Sequence, residues 1–185
     1  GLQSKVAARV MPINNFIVAT EPLGPEFDSL LPGGEAVADS RFVVNYWRMS
    51  ADRRLLFGGG ESYGPRFPSD IAALVRRNLA QVYPQLANIP ISHAWGGTLA
   101  ITRSRLPCFC APAPGVLAMA GYSGHGVALA TLAGEIAAEA VAGQTERFDL
   151  MARLPAPAFP GGTALRRPLL TLAMGWYALR DRLGV

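Results

Sequence analysis

The residues best placed to do chemistry lie in one short run, Gly121-Tyr122-Ser123-Gly124-His125-Gly126. It follows the wholly apolar stretch Val116 to Ala120 and leads into the alanine-rich stretch Val127 to Ala142, which Gly143 is placed to end. An apolar strand entering a glycine-rich turn and then a helix gathers unpaired backbone amides and the positive end of a helix dipole at one point. An electron-rich group is the natural ligand there. The glycine spacing is G-x-x-G-x-G, however, and not the G-x-G-x-x-G of pyrophosphate loops. Nor does an acidic residue end a second strand about twenty residues later, as a ribose clamp requires. Spacing alone leaves two readings open, a ligand site and a turn that packs a helix closely on a strand. His125 is open in the same way, between a turn histidine satisfied by backbone and a contact to a bound group.

Other candidates carry less. Cys108 and Cys110, one residue apart in an extended segment, point the same way without bridging easily, and two free thiols suit a reducing cytosol. His93 and His125 are far from them in sequence, so no metal site is expected. Gly58-Gly59-Gly60 has no following Lys-Ser/Thr and reads as a turn. The 17 basic residues, all arginine except Lys5, are scattered among 13 acidic ones and form no nucleic-acid stripe. No export signal is visible at the start of the chain. The most apolar late stretch, Pro168 to Leu179, is about twelve residues where a membrane span needs about twenty. The final helix, with Trp176, Tyr177 and flanking arginines, reads as packed on the protein or a partner before it reads as an interfacial anchor.

The elements that must position the turn are read from periodicity. Half of the 185 residues are apolar, enough for one sizeable core or for one substrate-handling domain with part of another. Pro12 to Leu23, Ala36 to Asp39, Phe42 to Met49 and Leu55 to Gly58 are strand candidates with the short turns of an antiparallel meander. A helix follows Pro68-Ser69-Asp70 with Ser69 as its cap. Ile71, Leu74, Val75, Leu79 and Val82 form its apolar stripe, and Pro84 ends it. Ile91 to Thr102 is a long strand broken at Gly96-Gly97, and Val116 to Ala120 has the pattern of a strand buried on both faces. A Pro/Gly-rich loop and a last helix from about Pro168 to Arg182 close the chain.

Gly121 to Val127 with its alanine-rich helix resembles the C-terminal flavin motif of the D-amino-acid-oxidase-like superfamily, which includes sarcosine and glycine oxidases. Trp95-Gly-Gly-Thr-Leu-Ala-Ile-Thr-Arg-Ser-Arg-Leu-Pro107 resembles that family's strand leading to a Thr-x-Asp and a proline, and Arg54-Leu-Leu-Phe-Gly-Gly resembles its Arg-hydrophobic-Gly hairpin. The tail, Arg147-Phe-Asp-Leu, Phe159-Pro-Gly-Gly, Trp176-Tyr and Arg180-Asp181, is most similar to γ-glutamylputrescine oxidases.

The resemblance implies an α+β fold. An antiparallel substrate-domain sheet with packed helices would occupy 1–110, the C-terminal strand-turn-helix of an FAD-binding domain 111–150, and a Pro/Gly-rich loop and terminal helix 151–185. No strand, G-x-G-x-x-G turn and helix opens the chain, so the resemblance makes it the C-terminal part of a longer polypeptide, without the segment that holds the ADP half of the flavin. Gly121, Tyr122, Ser123, Gly124, His125, Gly126 and Val127 would contact non-covalent FAD, the helix dipole favouring charge that develops at flavin N1 and O2. Tyr46, Trp95 and Leu99 would bind an amine, with Tyr46, Trp47 and Trp95 read either as cavity wall or as sheet-face core. Hydride transfer needs orientation more than an acid or base, so no side chain is assigned as catalytic.

Five positions depart from the family pattern. Glycine-oxidase-like members carry a carboxylate-clamping Arg where Leu99 stands, and sarcosine-oxidase-like members a Lys where Ala128 stands. Both changes point from a small α-amino acid toward an amine of the γ-glutamylputrescine type, and the two free thiols lead us to expect a cytoplasmic protein. Gly97 and Thr98 occupy the region of the cysteine that binds flavin covalently in some relatives, and Ser104 replaces the Asp after the Thr. Losing the first domain would uncover apolar surface, making a homo-oligomer the other partner to expect.

Overall fold

The computed structural model describes residues 3–41 and 43–183. Phe42, where the third strand candidate begins, lies outside them, as do the side chains of Tyr177, Arg180 and Asp181. The described chain is α+β and divides into two units, Asn14–Thr98 with the segment from Tyr177, and Gly1–Ile13 with Leu99–Trp176.

After a short helix, α1 (Ser4–Ala7), the strands β1 (Met11–Thr20), β2 (Val37–Ala38), β3 (Tyr46–Met49), β4 (Leu55–Ser62) and β5 (Ile91–Ile101) form one sheet in the order β2-β3-β4-β1-β5. β1 pairs antiparallel with β4, Val18 opposite Phe57 and Asn15 opposite Glu61, with a register shift between Asn15 and Ile17. β3 pairs antiparallel with β4, placing Tyr46 opposite Gly58 and Trp47 opposite Phe57. Ser92 Oγ donates to Thr20 O at 2.9 Å and Thr98 Oγ1 to Asn14 Oδ1 at 2.8 Å, so β5 runs opposite to β1.

Alternation sorts these strands into two faces. Phe16, Val18, Leu55 and Phe57 pack against Val75 and Leu79 of the helix α2 (Ile71–Val82), and Leu86 closes the cluster. Trp47 stacks on Phe57 with ring centroids 5.5 Å apart and donates its indole N–H to Tyr83 Oη at 3.0 Å. Sequence reasoning left Trp47 open between core and cavity wall; its half-buried ring packs against this core, and the residue also borders a cavity on the sheet. The cap of α2 is Asp70 and not Ser69. Asp70 Oδ1 accepts the Ala73 amide at 2.8 Å, a carboxylate next to the first helical residue reaching the third turn amide and complementing the dipole.

In the other unit β6 (Cys108–Ala113) and β7 (Val116–Ala120) form a hairpin, followed by α3 (Gly126–Val141), α4 (Glu146–Ala152) and the part of α5 (Gly162–Leu183) up to Trp176. Phe109 of β6, Ala133 and Ile136 of α3 and Phe148 of α4 make its core, the two rings 5.8 Å apart. The sequence reading gives β7 two buried faces, but its one neighbour among the described residues is β6 and its first residue, Val116, is exposed. Of β6, sequence reading yields only the extended segment at Cys108 and Cys110, because prolines follow the cysteines, and α4 escapes it because seven residues hold too little periodicity. α5 begins at Gly162, with Pro168 inside it. No described helix is long and apolar enough to cross a membrane.

The capping assignment is testable. Asp70→Ala is expected to cost about 1 kcal/mol in urea unfolding, while Ser69→Ala stays within about 0.5 kcal/mol. Equal losses would return the cap to Ser69.

Candidate functional site

The turn between β7 and α3 is held from within its own unit. Gly121 (φ +75°), Ser123 (φ +53°) and Gly124 (φ +98°) are all left-handed, a conformation costly for Ser123. Ser123 is buried and fully engaged. Its amide donates to Ala100 O at 3.0 Å, while its hydroxyl accepts the Thr102 amide at 3.2 Å and donates to Gly121 O at 3.1 Å. Buried Thr102 donates in turn to Leu106 O at 2.7 Å. A Cβ on Gly121 would collide with Thr102 Cγ2, so this glycine is required by both backbone and space.

The consequence is an open helix start. The first bond of α3 runs from the Leu129 amide to His125 O at 3.1 Å, leaving the amides of Gly126, Val127 and Ala128 without a helix partner. His125 is the N-cap residue and makes no side-chain cap, and both it and Val127 are exposed, Val127 at 94%. Tyr122 packs against the Phe109 core and donates to Met119 O at 3.3 Å, burial raising its phenol pKa. The seven turn residues thus split into a buried latch, Gly121 to Ser123, and an exposed lip, Gly124 to Val127. The latch is the part sequence reasoning missed; a Thr and a Ser bonding across 21 residues leave no local pattern.

On the five-stranded sheet, Tyr46 and Trp95 line a single cavity of about 320 Å³, together with Ile17, Arg48, Leu56 and Gly58 among others. Leu99, part-buried near the end of β5, is not among its lining residues. Tyr46 lies over Gly58, where any Cβ would strike its ring, and its hydroxyl donates to Asn15 Oδ1 at 2.6 Å. Burial, and then the charge of Glu61, hold the Tyr46 phenol above its ordinary pKa. Glu61 also accepts from Tyr63 Oη at 3.1 Å, whose phenol is raised by burial first and by Glu61 next. Arg48, Gly58 and Asn15 were readable as neighbours of Tyr46 only once strand pairing was known.

Comparison with known proteins fits these features. Residues 1–140 match the family described as DAO, FAD dependent oxidoreductase. The chain is 53% identical over 184 residues to a probable oxidoreductase OrdL of Rhizobium meliloti (strain 1021), covering 98% of this chain and 42% of that protein. It is 42% identical over 185 residues to the gamma-glutamylputrescine oxidoreductase of Escherichia coli (strain K12), covering 100% of this chain and 43% of that one. Among solved structures, glycine oxidase from Geobacillus kaustophilus matches with a TM-score of 0.63 at 21% identity, over 83% of this chain and 40% of that enzyme. The chain therefore spans about two-fifths of the length of the curated relatives it matches.

These contacts set expectations for stability and for titration. Gly121→Ala should destabilise by more than about 1 kcal/mol in thermal unfolding. Gly134→Ala, inside α3 with open space around it, should stabilise by about 0.5–1 kcal/mol. A neutral Gly121→Ala would mean that the latch does not fix the turn. In a spectrophotometric tyrosine titration, Tyr46 should ionise above the ordinary value of about 10, and Glu61→Gln should lower it without abolishing the burial component. No change in Glu61→Gln would remove the electrostatic link between the two.

Proposed function

This chain belongs to the DAO family of FAD-dependent oxidoreductases, and from that premise we propose that the protein carrying it oxidises a primary or secondary amine of the γ-glutamylputrescine type. The observation that carries the substrate class is the 42% identity, over the whole of this chain, to a gamma-glutamylputrescine oxidoreductase. The aromatic cavity supports it, as do the apolar residues Leu99 and Ala128, which offer no charge to a carboxylate on the reacting carbon.

The turn suits one end of the cofactor. Gly121, Tyr122, Ser123, Gly124, His125, Gly126 and Val127 would hold non-covalent FAD, with the partnerless amides of Gly126, Val127 and Ala128 supplying donors to an electron-rich ring edge. Bound FAD would supply a two-electron acceptor for the hydride of the amine's α-carbon. What this chain contributes is orientation. Tyr46, Trp95 and Leu99 are assigned to substrate and no side chain to proton transfer. In this reading residues 1–110 serve the substrate, 111–150 the flavin, and 151–185 form the closing loop and helix. The free thiols Cys108 and Cys110 favour the cytoplasm.

One observation favours a second reading, in which the chain acts as a non-catalytic binding or oligomerisation module. Leu165, Leu169, Leu172 and Trp176 are exposed at spacings of four, three and four along α5.

Anaerobic addition of γ-glutamylputrescine to the full-length protein is expected to bleach its visible flavin absorbance, with D-alanine and glycine leaving it unchanged. Bleaching by the amino acids alone would replace the amine with an α-amino acid, and a colourless, self-associating protein would favour the second reading.

A further inference from the structure

We propose that Arg48 anchors a carboxylate that the amine substrate carries far from its reacting carbon. The inference rests on the amine-oxidising reading above and names what lies at the other end of the substrate.

Arg48 is the single charged residue among those that line the sheet cavity; the remainder are aliphatic, aromatic or glycine. Among the described residues, many arginines are tied down. Arg54 binds Asp52, Glu21, Thr20 and Ser92, Arg53 binds Asp28 and the carbonyls of Leu23 and Gly24, and Arg147 binds Glu135 and Glu139. Arg48, exposed on β3, has no hydrogen bond or ion pair among the described residues. The cavity's other prominent polar group is already committed, since the Tyr46 hydroxyl donates to Asn15. A guanidinium fork matches a carboxylate with two parallel hydrogen bonds, and apolar walls strengthen such a pair over its value in water.

Position decides which carboxylate. Tyr46 and Arg48 are two residues apart on one strand, so their side chains share a face about 7 Å apart. Trp95 stands on β5, three strand intervals from β3 in the order β3-β4-β1-β5, or roughly 14 Å, whereas one extended residue spans about 3.5 Å. A free α-amino acid is too short to reach from the aromatic wall at Trp95 to Arg48. An extended amine with a glutamyl-like head is long enough. The same geometry accounts for apolar Leu99 and Ala128, because the substrate's negative charge is read at β3 and needs no clamp beside the reacting carbon.

The test uses the full-length flavoprotein. Steady-state kcat/KM is measured for γ-glutamylputrescine and for N-acetylputrescine, which lacks the remote carboxylate, in the natural enzyme and in Arg48→Leu, Arg48→Gln and Arg48→Lys. The selectivity for the carboxylated amine should fall by about tenfold or more in Arg48→Leu and Arg48→Gln, mainly through KM, with part restored in Arg48→Lys. Unchanged selectivity in both neutral variants would overturn the assignment while leaving amine oxidation standing. Flavin reduction by amino acids and by neither amine would instead remove the reading beneath it. A measurement without mutation guards against misfolded variants. γ-Glutamylbutylamine, which has no terminal amine to oxidise, should compete with substrate on the natural enzyme, and its α-carboxamide should bind about tenfold more weakly. Equal inhibition by the two would also overturn the proposal.

Discussion

Side chains on a strand must alternate between faces, and in the sheet of this chain that single constraint decides which residues make core and which make a site. Phe57 stacks under Trp47 and meets α2. Its neighbour Gly58, on the opposite face, lies beneath the Tyr46 ring. A slip of one residue in the β3–β4 pairing would take Tyr46 off Gly58 and the Trp47 ring off Phe57. The register is fixed by burial, because Leu55 and Phe57 both pack into the core and leave no equivalent alternative. Gly58 weakens a strand in the ordinary way and is kept where a side chain would displace an aromatic ring.

The β7–α3 turn obeys a different constraint. Left-handed backbone at Ser123, a residue with a Cβ, is unfavourable unless the surroundings over-determine it. Here three hydrogen bonds do so, linking Ser123 to Ala100, Thr102 and Gly121, and burial keeps water from competing for them. Backbone groups that the latch satisfies lie before the helix, and those it leaves open begin it. The division between a rigid, dry half and an exposed, donor-rich half of one seven-residue motif follows from where the hydroxyls sit.

Much of this was legible in sequence, for identifiable reasons. The α2 stripe was readable because its apolar residues repeat at helical spacing, and β1 and β4 because β-branched and aromatic residues cluster between turn formers. The G-x-x-G-x-G turn was visible as a strand-to-helix junction, and its family resemblance pointed to flavin. What remained hidden was non-local. Trp47 and Tyr46 are adjacent in sequence, similar in character and both border the cavity, yet the Trp47 ring stacks on Phe57 of the core while Tyr46 lies over Gly58, and only the strand pairing separates them. The choice between Ser69 and Asp70 as cap turned on a single residue of helix boundary, where local signals are weakest.

The titration behaviour of the sheet bears on what its residues can do in the proposed reaction. Tyr46 and Tyr63 both have phenols raised above their ordinary values, by burial first and by the carboxylate of Glu61 second. Such groups stay protonated across the neutral range, and neither serves as a base there. The Tyr46 hydroxyl is moreover a donor already spent on Asn15. Apart from Arg48, which carries a fixed charge, the cavity presents only neutral side chains whose value is their shape. For an oxidation in which a C–H bond gives up its hydride to a tightly held acceptor, holding the substrate at the right distance and angle is the larger part of what a protein can supply. In the proposed reaction, a neutral aromatic wall with one remote cation would provide that positioning without offering a competing route for protons.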